Sequence, residues 1–315
     1  MSKVVVATAF GGPEVLSVVD RPSPEPAAGE ARVAVRAAAV NPIDYKLYSG
    51  AWGRDPNVLP RRLGAEAAGV VTAVGEGARG PAGDLAVGDE VIVYPASGGY
   101  AQEIVAPGDA LVPKPAGMPW AQAAGLLLTG VTAVHALETV QLEAGETVLI
   151  HGGAGGVGLM AVQLAALRGA TVLATASPRN HDLLHGFGAV PISYGPGLAD
   201  RVRQAAPGGV AAALDLVGTD EAVDVSLELV ADRNRIVTIA AFGRFQEAGI
   251  RAIGGGTGAD PGTELRAAAR LQLTELWAQG KLRVVVDRTY PLDEVADAHR
   301  EIKAGHATGK IVLVP

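Results

Sequence analysis

Five of the seven residues from Gly152 to Gly158 are glycine, and Gly153, Gly155 and Gly158 fit the spacing G-x-G-x-x-G. That spacing suits one kind of chemistry, the holding of a nucleotide pyrophosphate. The first glycine permits a tight turn, the second lets backbone approach the phosphates, and the third lets a helix pack close on a strand. A helix starting here presents unpaired N–H groups and a partial positive charge to phosphate oxygens. Gly153, Ala154, Gly155, Gly156, Val157 and Gly158 are therefore the expected cofactor loop. The chain holds 42 glycines, so the spacing alone is a weak signal and the flanking elements decide.

Before the loop, Thr147-Val148-Leu149-Ile150-His151 is short, apolar and β-branched enough for a buried strand. After it, Leu159 to Leu167 follow a helical pattern that Gly169 stops, and Thr171 to Thr175 read as a second strand. Strand, loop, helix and strand in this order make a βαβ unit. The end of the second strand then chooses the nucleotide. A carboxylate there takes the ribose 2′-hydroxyl of NAD, whereas its absence beside a cation accommodates a 2′-phosphate. Here the strand runs out as Ala174-Thr175-Ala176-Ser177-Pro178-Arg179-Asn180, with no carboxylate before Asp182. Ser177 offers a hydroxyl, and Arg179 a guanidinium suited to a phosphate dianion. The expected cofactor is NADPH.

The alternation continues, with strands expected near 147–151, 171–175, 190–193, 210–216, 235–240 and 249–253 and helices such as 220–231 between them. Such a pattern builds a parallel sheet covered on both faces. Val217, Gly218 and the residues Ala240 to Phe242 fall at C-terminal strand ends, where open α/β sheets bind ligands, and are expected to meet the cofactor mainly through backbone.

Residues 1 to about 117 read differently. Short strand-like runs (4–7, 16–20, 31–40, 69–74, 90–93, 100–105) alternate with Gly and Pro clusters, which suggests a twisted barrel or sandwich. A helical stretch over 119–140 leads out of it. Near the end, a helix over 264–279, capped by Thr263, precedes strands at 282–290 and 310–314 that flank a helix over 292–304. This tail is expected to fold back onto the first domain. The expected organisation is a catalytic domain from 1–119 and 260–315, interrupted by a nucleotide domain from 120–259.

A length of 315 residues allows two domains with real cores, and 49% apolar against 19% charged residues is ordinary for a folded enzyme. The formal charge of −7, without a basic block, argues against nucleic acid or an anionic membrane as a partner. Cysteine is absent, which removes disulfides, thiolate chemistry and cysteine-ligated metal sites. No signal segment or bilayer-length apolar run is present, so a soluble cytoplasmic protein is expected.

Several runs resemble one family: Ala38-Ala39-Val40-Asn41-Pro42-Ile43-Asp44-Tyr45-Lys46, Gly64-Ala65-Glu66-Ala67-Ala68-Gly69-Val70-Val71, Val87-Gly88-Asp89-Glu90-Val91, Leu128-Thr129-Gly130 and Gly309-Lys310-Ile311-Val312-Leu313. With the glycine loop and the domain order, they resemble the medium-chain dehydrogenase/reductase superfamily in its zinc-independent, zeta-crystallin-like quinone oxidoreductase branch. The resemblance implies an α/β fold, with a Rossmann doubly wound parallel sheet and a β-rich GroES-like catalytic domain. The zinc alcohol dehydrogenases look similar but carry G-H-E-x-x-G, with a His ligand, and a Cys near Asn41. Here Ala65 replaces the His. Without a Lewis acid, hydride donation to an already electrophilic quinone or α,β-unsaturated carbonyl remains feasible, because the cofactor supplies the hard chemistry.

The resemblance also implies roles. Asn41 and Lys46 lie beside the nicotinamide and acceptor, with Tyr45 a candidate proton donor and Thr129 near the nicotinamide ribose. Glu66 is expected to be structural, in a buried ion pair. Tyr48, Trp52, Phe242 and Phe245 are the aromatic candidates for stacking on a flat acceptor. Two rival functions stand beside quinone or enone reduction. One is reduction of a carrier-bound enoyl thioester, for which Arg54, Arg61 and Arg62 offer a basic approach. The other is NADPH binding without turnover. A homodimer is expected, with residues 249–254 as an edge strand in need of cover.

Overall fold

In the computed structural model, which describes residues 1–315, the run Thr147–His151 is a strand with four of its five residues buried. It sits inside a six-stranded sheet in which every pairing is parallel. From edge to edge the strands are Ala189–Ile192, Thr171–Thr175, Thr147–His151, Ala212–Asp215, Ile236–Thr238 and Arg251–Ala252. The chain order reverses direction between Thr147–His151 and Ala212–Asp215, which makes this a doubly wound Rossmann sheet with its switch point at those two strands. His151 pairs with Asp215 there. The helix Gly156–Leu167 follows the first of these strands and buries eight residues from Gly158 to Ala165. It is apolar almost all round, the pattern of a helix buried on most of its faces.

This sheet belongs to a unit made of Thr129–Ala269 and Lys281–Arg283. The other unit comprises Met1–Leu128, Arg270–Gly280 and Val284–Pro315. The expected borders at 119/120 and 259/260 give way to 128/129 and 269/270.

The first unit is β-rich. One sheet runs Leu111–Pro113, Glu90–Val93, Ala67–Val74, Glu30–Val40, Lys310–Val314 and Val286–Pro291, with Glu103–Pro107 also paired to Glu30–Val40. The C-terminal strand thus pairs antiparallel with the middle of the N-terminal segment, Ile311 opposite Val40. Three of its five residues, Ile311, Val312 and Leu313, are fully buried. Ser2–Ala7, Leu16–Arg21 and Arg61–Arg62 form a second, three-stranded sheet.

Some elements differ from the sequence reading. The helix expected over 119–140 is two helices, Trp120–Ala124 and Leu127–Thr139, broken at Gly125. The strands expected at 210–216, 235–240 and 249–253 are shorter in the structure, Ala212–Asp215, Ile236–Thr238 and Arg251–Ala252. A helix over Pro42–Ser49 was not expected. Its signals are local: the Asp44 carboxylate accepts from the N–H of Asn41 at the N-cap, Pro42 stands at the first position, and Gly50 ends it in the left-handed region. No helix is long and apolar enough to cross a membrane.

Candidate functional site

In the nucleotide unit, Gly155 precedes the helix Gly156–Leu167, and no side chain caps that N-terminus. Its first N–H groups have no intrahelical partners, which leaves them for a ligand. The glycines on either side of this point differ in kind. A Cβ on Gly158 would stand 2.1 Å from the Gly152 carbonyl oxygen, so the fold itself demands glycine there. A Cβ on Gly155 would meet only that same oxygen, at an ordinary 3.5 Å. Nothing in the protein requires Gly155 to lack a side chain. Open space of this kind lets a phosphate approach the backbone closely.

At the end of the neighbouring strand, Thr175 and Ala176 are buried and Ser177 is half-buried at the start of a 3₁₀ turn, Pro178–Asn180. Arg179 is exposed on that turn, and Asp182 lies in the following helix, His181–Gly186. The Asn180 Nδ2 group donates to Ser177 Oγ at 3.4 Å. Serine hydroxyl and guanidinium therefore share one short turn, with no carboxylate in it.

Two further loops close this edge of the sheet. Asp215, fully buried, accepts from the Val217 and Gly218 N–H groups at 3.1 and 2.8 Å and from the Thr238 hydroxyl at 2.7 Å. Thr238, also fully buried, accepts in turn from the Ala240 and Ala241 N–H groups at 3.0 and 2.8 Å. The sequence reading placed Val217 and Ala240 but missed Asp215 and Thr238. A single carboxylate ending the apolar run Ala212-Ala213-Leu214 was the available signal. Val217 is exposed and Ala240 half-buried. Thr129, on the helix Leu127–Thr139, is buried. The half-buried Phe242 ring lies directly over Gly256, where a Cβ would come within 2.3 Å of it. Phe245 packs in the hydrophobic core of this unit, and its expected stacking role is withdrawn on that ground.

In the β-rich unit, the expected catalytic residues do not stand together as equals. Asn41 is 1% exposed and its amide is consumed: Nδ2 donates to the Ala39 carbonyl and to Glu66 Oε1, both at 3.2 Å, and Oδ1 accepts from the Lys310 ammonium. It has no donor left for an acceptor oxygen, which corrects the role expected of it. Glu66 is fully buried, paired with Lys310 at 3.1 Å, and its Oε2 accepts from the Leu128 N–H at 2.9 Å. The expected ion pair at Glu66 thus has a partner that the sequence reading did not single out.

Beside this cluster, Asp44 accepts from the Asn41 N–H (2.9 Å), the Tyr100 hydroxyl (2.7 Å) and the Gly64 N–H (3.3 Å). Burial pushes its carboxyl up to about 6, against the opposing pull of the Tyr100 and Asn41 hydrogen bonds. Tyr48 is 1% exposed and its hydroxyl shares a 2.8 Å hydrogen bond with His299 Nδ1. A ring so enclosed cannot stack on a ligand, so this expectation too is corrected. Tyr45 and Lys46, on the same helix, are half-buried. Desolvation lowers the Lys46 ammonium from its ordinary range and raises the Tyr45 phenol. Trp52 is 45% exposed.

The comparisons with known proteins agree with this architecture. Residues 27–116 match the alcohol dehydrogenase GroES-like domain family, and residues 188–313 match a family described as zinc-binding dehydrogenase. The chain is 35% identical over 333 residues to a quinone oxidoreductase of Pseudomonas aeruginosa, with all of both chains covered. Among solved structures it is similar to a mycobacterial protein in complex with NADPH (TM-score 0.86, 32% identity, all of both chains). It is also similar to CurK enoyl reductase (TM-score 0.86, 28% identity, 99% of each chain). Fold and relatives define an oxidoreductase of the medium-chain dehydrogenase/reductase superfamily. Within it, the chain belongs to the quinone oxidoreductase-like family.

The residues of this chain do not fit the zinc of that family description. Zinc takes thiolate, imidazole or carboxylate donors. At Asn41, Ala65 and Glu66 the chain offers one carboxylate, and an ammonium already neutralises it. No three His, Cys, Asp or Glu side chains converge elsewhere.

Proposed function

We propose that this chain is a metal-free, NADPH-dependent reductase of quinones or α,β-unsaturated carbonyl compounds. The observation that carries the reading is the open space at Gly155, at the uncapped start of a helix on the switch point of a parallel sheet. The N–H groups of Gly156 and Val157 bind the pyrophosphate, and Ser177 and Arg179 take the 2′-phosphate. Bound NADPH supplies the hydride. Backbone at Val217 and Ala240 holds the nicotinamide end, with Thr129 at its ribose and Phe242 bordering it. Lys46 provides the positive charge that meets negative charge developing on the acceptor oxygen, and its desolvated ammonium suits that task. Tyr45 is the proton donor, and Trp52 borders the acceptor. The protein acts in the cytoplasm as a homodimer, with the edge strand Arg251–Ala252 covered in the assembly.

A second reading, reduction of an enoyl thioester, is favoured by the likeness to CurK enoyl reductase. One experiment separates the two and tests both. NADPH consumption is followed against quinones, enones and enoyl thioesters, with NADH as the alternative donor. Turnover of the first two classes with NADPH supports the proposal, and preference for the thioesters transfers it to the second reading. Binding of NADPH with no turnover in any class would leave a binding protein and end both.

A further inference from the structure

We infer that Asp215 and Thr238 are positioning residues for the nicotinamide end of the cofactor, acting through two backbone loops that they tie together; the inference rests on the NADPH reading above. A buried carboxylate is costly to desolvate and persists only where donors surround it. Asp215 has no cation beside it. Three donors satisfy it instead, and two of them are consecutive backbone N–H groups, at Val217 and Gly218. The third is the Thr238 hydroxyl, which spends its only proton on Asp215 and accepts from the Ala240 and Ala241 N–H groups. One carboxylate and one hydroxyl therefore turn four backbone N–H groups inward, two from each loop.

The direction of those groups has a consequence. In a trans peptide the N–H and the preceding C=O point opposite ways. With the N–H groups turned toward Asp215 and Thr238, the carbonyls of Leu216, Val217 and Ile239 are turned away from them, at the C-terminal edge where ligands bind. Such an edge recognises a hydrogen-bond donor, and a carboxamide NH₂ is one. The loops also press on each other. Gly218 has a φ of +77°, and a Cβ there would stand 2.8 Å from the Ala240 Cβ. A shift in either loop is felt by its neighbour, and the Asp215–Thr238 hydrogen bond is what holds the pair in register.

The test uses the full-length protein and two probes. NADPH spans the whole cofactor site, whereas adenosine 2′,5′-bisphosphate reaches only the adenosine end. Thr238→Val removes the hydroxyl at constant shape. It is expected to weaken NADPH about tenfold or more, while the bisphosphate changes less than about twofold. Thr238→Ser, which keeps the hydroxyl, is expected to restore NADPH affinity. Retained bisphosphate binding certifies that the nucleotide unit is folded. If Thr238→Val fails to fold, Asp215→Asn serves instead, with the same split between probes expected. Unchanged NADPH affinity, equal loss of both probes, or no rescue by serine overturns the inference alone. A wild-type protein that binds neither probe overturns the NADPH reading, and the inference with it.

Discussion

Lys310 and Glu66, 244 residues apart in sequence, meet at 3.1 Å in the interior of the β-rich unit, 4% and 0% exposed in their side chains. The pair is closed on every side. Glu66 also receives the Asn41 amide and the Leu128 N–H, and the Lys310 ammonium also reaches Asn41 Oδ1. Such a cluster fixes the start of the helix Pro42–Ser49, since Asn41 is its cap. Tyr45 and Lys46 ride on that helix.

Removing one partner leaves the other charged and buried, which is far worse than losing both. Lys310→Met is accordingly expected to cost about 3–5 kcal/mol of stability. In Glu66→Gln/Lys310→Met the amide still accepts the Leu128 N–H, and the double variant should lose about 1–3 kcal/mol less than the sum of the singles. Denaturant unfolding of all four proteins closes the cycle. Additive losses would mean that the two side chains do not interact.

Asp44 gives a dependence on pH with a definite sign. Burial raises its folded value from 3.8 to about 6, so the folded state binds a proton more tightly than the unfolded one between those values. Stability drawn from this group therefore falls as pH rises from about 4 to 6, by about 1.4 kcal/mol per unit. His299, lowered by burial from 6.5 to about 4, works the other way over nearly the same range. The two oppose each other in the wild type. Asp44→Asn removes one, and the difference between wild-type and variant unfolding free energies isolates it. That difference should shift against the wild type by about 2 kcal/mol from pH 4 to pH 6. A flat difference curve would show that Asp44 does not titrate there.

What the sequence made legible follows the range of the physics. The strand Thr147–His151, its glycine turn and the strand Thr171–Thr175 were read to the residue, because apolar runs and glycines act locally. The helix Pro42–Ser49 was equally local, with Asn41, Pro42, Asp44 and Gly50 all in place, yet a β-rich context hid it. The pairing of Lys310 with Glu66, and of Thr238 with Asp215, depends on which strands become neighbours, and no local pattern carries that. Two of the four aromatics, Tyr48 and Phe245, were misread for the same reason. Tyr48 and Trp52 stand four apart on one short stretch, and only the fold decides that one is core and the other exposed.

The glycine turn separates what the fold needs from what a ligand needs. Gly158→Ala drives a Cβ into the Gly152 carbonyl and is expected to cost at least about 1–3 kcal/mol. Gly155 has φ −74°, which alanine adopts freely, and there is room for its Cβ. Gly155→Ala should therefore stay within about 0.5 kcal/mol of the wild type in stability, while a methyl in the phosphate cradle weakens NADPH by about tenfold or more. Thermal unfolding and a fluorescence titration of NADPH test the two halves. Equal NADPH affinity in Gly155→Ala would remove the pyrophosphate from this turn.

On the proposed reading, the choice between the two nicotinamide nucleotides falls to Arg179. It stands exposed on the turn after the second strand, with Ser177 two residues before it and no carboxylate until Asp182. A guanidinium hydrogen-bonded to a phosphate dianion is worth roughly 1.5–3 kcal/mol, or about 10- to 100-fold in affinity. NADH carries a hydroxyl where NADPH carries that phosphate, and the guanidinium gains little from it. Arg179→Ala is expected to weaken NADPH by that factor and to leave NADH nearly unchanged, so that the preference collapses from one side only. Titrating both nucleotides against both proteins gives four dissociation constants. Equal weakening of NADPH and NADH would place Arg179 away from the 2′-phosphate and give it a structural part in the turn.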